Sequence, residues 1–187
     1  DHIDLYQCHA VASMEDVDAL TSAGGALETF ASLRERGLVR YLGFSAHSEK
    51  AALALMSRFE FDTILFPFNW VCWHEGGFGH RVVEAAQDRG LGILALKALA
   101  KRKWRDGETR TWAKTWYCPV ESAEEASHAL RFTLFLPVTA AVSPGHEELL
   151  VWACDAADRL SPLSDLEATE LARRAAGLAP IFSEADA

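Results

Sequence analysis

The chain has 187 residues, half of them hydrophobic, enough to bury the core of one ordinary domain. A formal net charge of -9 and a sequence pI near 5.2 argue against a nucleic-acid or anionic-membrane surface, so neither partner is expected. No apolar run has the length of a membrane span; the longest, over residues 91–100, is strand-like and carries Lys97. No basic leader with an apolar core and cleavage site is visible, and the chain opens on Asp1 inside a strand pattern. A piece of a longer, cytoplasmic protein is therefore expected. Cys8, Cys72, Cys118 and Cys154 lie far apart without a CxxC, which predicts free thiols and no metal site.

Residues 3–8 read as a short buried strand, with Ile3, Leu5, Tyr6 and Cys8 as its apolar members, running directly into His9. An imidazole at the carboxyl end of a parallel strand stands where α/β folds place their chemistry; the alternative is a core histidine bonded to nearby backbone. The acidic stretch 13–18 reads as a solvated loop or a short helical turn. Gly24-Gly25 precede a helical pattern through Ala26, Leu27, Phe30 and Leu33, with Gly37 as its C-cap. A second strand over 38–44 ends in Ser45-Ala46-His47. A helix from Ser48 follows, with Ala52, Leu55, Met56 and Phe59 as its buried stripe.

Residues 63–66 form a third strand, stopped by Pro67 and continuing into Phe68-Asn69-Trp70. A glycine-rich loop at 76–79 leads to a helix over 80–89, closed by Gly90. The fourth strand, 92–96, is apolar throughout, as a strand covered on both faces should be. Residues 101–121 are the longest non-periodic stretch, predicted to be functional or mobile. A helix over 122–136 opens with Ser122 and Glu125 in the arrangement of a capping box. A fifth strand, 138–142, ends at Ser143-Pro144-Gly145. Helices over about 146–160 and 164–176 follow, and the segment from Pro180 onward is expected to fray.

Strands separated by helices imply right-handed crossovers and a parallel sheet. Neither GxGxxG nor GxxxxGK[ST] occurs, so a dinucleotide Rossmann turn and a P-loop are unsupported. Five strands leave two open edges, a difficulty that an eight-stranded barrel missing its first three units would remove.

At this point the residues resemble the aldo/keto reductase family. Asp4-Leu5-Tyr6-Gln7-Cys8-His9 resembles its fourth barrel strand, which ends in the active-site histidine. Residues 37–45, Gly-Leu-Val-Arg-Tyr-Leu-Gly-Phe-Ser, resemble its fifth. Leu130-Arg131-Phe132, Pro137-Val138 and Ser143-Pro144-Gly145 resemble its seventh helix and eighth strand. The resemblance implies an α/β fold, a (β/α)8 TIM barrel, of which residues 1–187 hold strands four to eight of a single barrel domain. It also implies an NAD(P)H-dependent oxidoreductase reducing an aldehyde or ketone to an alcohol, with NADP as cofactor and NAD possible. His9 would hold the carbonyl oxygen, while the family's tyrosine, lysine and aspartate would lie upstream, so the fragment alone would be inactive.

On the cofactor side the resemblance places Ser45 and Ala46 where a Ser-Asn pair holds the nicotinamide amide, and Leu65 where a glutamine does so. Leu96 stands at the residue that stacks on the nicotinamide ring. Lys97, Ala98 and Leu99 occupy the pyrophosphate turn, where a serine is more usual, and Pro144, Gly145 and His146 the adenosine-phosphate end, without its usual basic residues. The basic residues of 101–114 would clamp the phosphates. These departures keep two alternatives open: a non-catalytic cofactor-binding barrel acting as a sensor or regulatory subunit, and a different barrel enzyme such as an aldolase with Lys97 as a Schiff-base lysine.

Overall fold

The computed structural model describes residues 1–184 in two compact units, one of Asp1–Phe66 with His80–Leu94 and one of Pro67–Gly79 with 95–184. In chain order the elements are β1 (Ile3–Val11), α1 (Met14–Thr21), α2 (Ala26–Glu35), β2 (Val39–Ala46), α3 (Glu49–Arg58) and β3 (Thr63–Pro67). Then come α4 (Trp70–His74), α5 (His80–Asp88), β4 (Gly92–Leu96), β5 (Ala100–Arg102) and β6 (Cys118–Pro119). The last are α6 (Ala123–Leu134), β7 (Ala140–Ala141), α7 (Glu147–Ala157) and α8 (Asp165–Ala175).

In the first unit β1 pairs in parallel with β2, from Ile3 opposite Val39 to Cys8 opposite Phe44, and β2 in parallel with β3. From Leu42 onward every residue of β2 is buried, and Ser45 is the polar member of that run, its hydroxyl satisfied by the Ala10 N–H. Gln7, Gly43 and Thr63 stand in one row across the three strands. Because Gly43 has no side chain, the Gln7 amide reaches over it to the Thr63 hydroxyl at 3.3 Å; a Cβ at Gly43 would run into that hydroxyl. Leu42, Phe44 and Ile64 are fully buried, as are Ala51, Ala52 and Leu55 of α3. Ser13 caps α1 by accepting the Asp16 N–H, and the Asp16 carboxylate accepts the N–H of Ser13 and Ala12 in return. That reciprocal cap makes a helix of the acidic stretch 13–18. Gly25 precedes α2, and Gly37 follows it with φ +71, a left-handed position that glycine takes without strain.

In the second unit the end of β4 lies beside the β7 segment, the Val142 N–H donating to the Ala95 carbonyl at 2.8 Å. The fifth strand is shorter than the predicted 138–142: only Ala140–Ala141 holds a strand pairing. Where the chain after Pro67 reads as extended, Asn69 accepts the Cys72 N–H at 2.9 Å and starts α4. Trp70 and Val71 of that helix are fully buried in a core with Leu99, Val120, Leu130 and Leu149. Ser122 caps α6 as expected, but the return half of the box is displaced by one residue. The Glu125 carboxylate accepts the N–H of Glu121 at 2.9 Å and pairs with Lys101 at 2.9 Å. Arg131, buried, donates to the carbonyls of Ser161 and Pro162 and grips Glu167, itself the return residue of the Ser164 capping box on α8.

One expectation gains detail here and one is corrected. The 101–121 stretch, expected to be functional or mobile, is not without pairing: β5 and β6 pair antiparallel at its base, and Arg102 holds Glu108 with two bonds of 2.8 and 2.7 Å. Nor does the chain fray from Pro180. Ile181 is buried, Phe182 stacks on Phe78 with centroids 5.5 Å apart, and the Glu184 N–H donates to Gly76. The remainder of the acidic tail lies outside the described residues.

Candidate functional site

The residues leaving β4 and β7 in the second unit enclose a cavity of about 450 Å³. Leu96, Lys97, Ala98 and Leu99 line it from one strand end, Ser143, Pro144 and Gly145 from the other. Its walls are Tyr117, just before β6, with Leu130 and Leu134 of α6 and Leu150, Ala153, Cys154 and Ala157 of α7. The α7 set recurs at i, i+3, i+4 and i+7, one helix face turned to one cavity. That spacing was present in the sequence, but without the partner wall it reads as core. His146 follows as N-cap of α7, makes no side-chain capping bond, and lies edge-on to Trp112 with centroids 4.7 Å apart. Its Nδ1 is buried without a hydrogen-bond partner.

Lys97 is the one lysine or arginine among the lining residues, and no carboxylate lines the cavity with it. Its φ of +64 is left-handed, a costly conformation for a residue with a Cβ, and its carbonyl accepts the Ala100 N–H to close the turn. Its Nζ stands 5.9 Å from the Trp116 ring centroid and 5.6 Å from that of Tyr117. Burial lowers the Lys97 pKa and raises that of the Tyr117 phenol. Lys101, four residues on, is the opposite case. Burial alone would lower its pKa, but bonds of 2.9 Å to Glu125 and Glu121 outweigh that and raise it. Lys101 and Arg102 are thus committed to carboxylates, which corrects the expectation that they clamp phosphates.

In the first unit the strand carrying His9 does not stop there. It continues to Val11 through a register shift, with Ala10 at φ +54. Bulges of this kind re-aim side chains at functional edges. Ala10 and Lys97 are the non-glycine residues of positive φ among the described residues, each beside or at a candidate position. His9 is exposed and lines a cleft of about 430 Å³ with Tyr6, Asp16, Leu20 and Phe30. The Ser45 hydroxyl, buried, accepts the Ala10 N–H at 2.7 Å and keeps its own hydrogen to donate. Ala46 is fully buried, and Leu65, half-buried, stands opposite Ser45; neither has a polar group for an amide.

Cys8, Cys72 and Cys118 are free and buried, Cys154 free and exposed. Among the described residues no cluster of three or more His, Cys, Asp or Glu could hold a metal, and no helix is long and apolar enough to cross a membrane.

No protein-family model and no curated protein matches the sequence. Solved structures do match. An aldo-keto reductase from Bacillus halodurans, in its holo form, superposes with a TM-score of 0.66 at 16% identity over 98% of this chain and 62% of its own. The fold is that of the aldo-keto reductases. A glycerol dehydrogenase from Gluconobacter oxydans gives a TM-score of 0.59 at 18% identity over 96% of this chain and 60% of its own. A thermostable aldo-keto reductase in complex with the inhibitor epalrestat gives 0.57 at 19% identity over 93% and 60%. The chain therefore spans about 62% of the length of the first of these aldo-keto reductase structures and 60% of the other two, as the partial (β/α)8 barrel of the sequence reading requires.

Proposed function

We propose that the chain is part of an NAD(P)H-dependent oxidoreductase that reduces an aldehyde or ketone to an alcohol. The observation that carries this reading is the cavity at the ends of β4 and β7, with Lys97 in it, on an aldo-keto reductase fold. The donor set suits the phosphate-bearing part of a nicotinamide dinucleotide. Lys97 supplies a charged donor, and the first turn of α7 keeps N–H groups that no side chain caps. Glu147 and Glu148 in that turn disfavour an additional 2′-phosphate, so the preference for NADP rests on resemblance alone.

The bound nicotinamide would supply hydride to the carbonyl carbon. The chain's own task is to steady the oxygen on which charge develops, and His9, exposed at the β1 bulge, can donate one ring N–H to it. The Ser45 hydroxyl is left as the polar contact for the nicotinamide amide, since Ala46 and Leu65 offer none. That thinner grip favours a second reading, a cofactor-binding barrel without turnover. Titration of the full-length protein with NADPH and with NADH, followed by tryptophan fluorescence and by calorimetry, tests both. Saturable binding is expected, and binding to neither nucleotide overturns the oxidoreductase reading. Binding without reduction of any carbonyl in an aldehyde and ketone panel selects the second.

A further inference from the structure

Lys97 carries a second chemistry. A lysine becomes a nucleophile toward carbonyl carbon when its amine is desolvated, has no carboxylate to hold its proton, and faces a space that admits a small molecule. Lys97 meets all three conditions: it is half-buried, no carboxylate lines the cavity with it among the described residues, and the cavity beside it holds about 450 Å³.

We propose that Lys97 is a covalent capture site for small apolar aldehydes, which enter the cavity and condense with Nζ to a Schiff base. The neutral amine adds to the carbonyl carbon, forming a C–N bond while the carbonyl oxygen takes up a proton. The resulting carbinolamine loses that oxygen as water and becomes the C=N imine. One aldehyde and one amine give one imine and one water, with no change of oxidation state. Burial favours the neutral amine, and the Tyr117 phenol, protonated at neutral pH as any phenol is, lines the same cavity as a proton source for the departing water. Leu130, Leu134 and Leu150 select an apolar aldehyde body over a charged one.

The capture site stands on the cavity's geometry alone; only its competition with a nucleotide rests on the proposed function. The sequence has five lysines, Lys50, Lys97, Lys101, Lys103 and Lys114, so adducts are readily mapped. The full chain is incubated at neutral pH with pentanal and cyanoborohydride, which reduces an imine to a stable secondary amine, and is then analysed by intact mass and peptide mapping. Beside labelling of the α-amine, which titrates well below a lysine and reacts in every variant, the expected result is one lysine adduct per chain, on Lys97, lost in Lys97→Met and in Lys97→Arg while circular dichroism of Lys97→Arg matches the parent. Labelling spread over the lysines by exposure, or an unlabelled Lys97, overturns the proposal. A parallel arm adds NADPH. Protection of Lys97 supports the cofactor reading as well, whereas an adduct that forms unprotected leaves the capture site standing and counts against that reading.

Discussion

Lys97, just past β4, and Lys101, in β5, show how little the residue type alone decides. Lys97 and Lys101 differ by one turn of chain, yet one faces aromatic rings in a cavity and the other is held between two glutamates. If Lys97 holds a phosphate, Lys97→Ala removes a charge-assisted hydrogen bond worth about 1.5–3 kcal/mol, roughly ten- to a hundred-fold in nucleotide affinity. Calorimetry on parent and variant reads that loss, and an unchanged Kd would move the phosphate contact elsewhere. The cysteines divide in the same manner. Burial pushes the Cys8 thiol up to about 11 and raises Cys72 and Cys118, whereas Cys154 is exposed on α7. A chromogenic disulfide reagent should react quickly with one thiol in the native chain and with all four after denaturation. More than one fast thiol, or a fast thiol that survives Cys154→Ser, would contradict this assignment.

Elements with a local signal were legible in the sequence. The capping serines Ser48, Ser122 and Ser164, the apolar run of β4 and most of the α3 stripe (Ala52, Leu55, Met56) stand where their residues put them, whereas Phe59 is the half-buried C-cap of α3 and in α2 Leu27 alone is fully buried, with Ala26 exposed. What escaped was set by distant partners. The end of β1 depends on the Ser45 hydroxyl reaching Ala10, and the tail depends on Phe78 receiving Phe182. The folding-back of 101–121 depends on Arg102 finding Glu108, six residues away but with no periodicity to announce it. The same limit governed the site: strand ends marked Lys97 and Gly145, but only packing showed that α7 turns Cys154 toward them. The Arg102 bond holds the Glu108 carboxyl down to about 2 against its ordinary 4.5, so the folded state prefers the ionised form. Its stabilising contribution is complete above the unfolded value and fades as pH falls from 4.5 through 2. The melting temperature of Glu108→Gln should therefore lie below the parent's at pH 6 and converge with it on acidification; a constant gap would show that the ion pair is not responsible. In the row Gln7, Gly43, Thr63, a methyl at Gly43 forces strand or side chain to move, and Gly43→Ala should cost about 1–3 kcal/mol in denaturant unfolding.

At the scale of the whole molecule, β1 is an outermost strand of its sheet, nine residues long, with Ile3 and Tyr6 exposed along it. Such an edge is a template for another strand, against which the net charge of -9 provides only diffuse repulsion. Taken on its own, this 187-residue stretch should self-associate in a concentration-dependent manner by size exclusion with light scattering, and Ile3→Lys should raise the monomer fraction. A parent that stays monomeric over a hundred-fold concentration range, roughly the span over which such weak association shows itself, would mean the edge is protected.

The bare backbone at Gly43 also has an evolutionary meaning. Every other amino acid carries a Cβ, and that atom alone collides with the Thr63 hydroxyl, so no substitution there is conservative. The position has no neutral neighbour in sequence space. It can drift only after Thr63 has first given up its hydroxyl, a step that also costs Gln7 its partner and so ties the histories of neighbouring strands into an order of events.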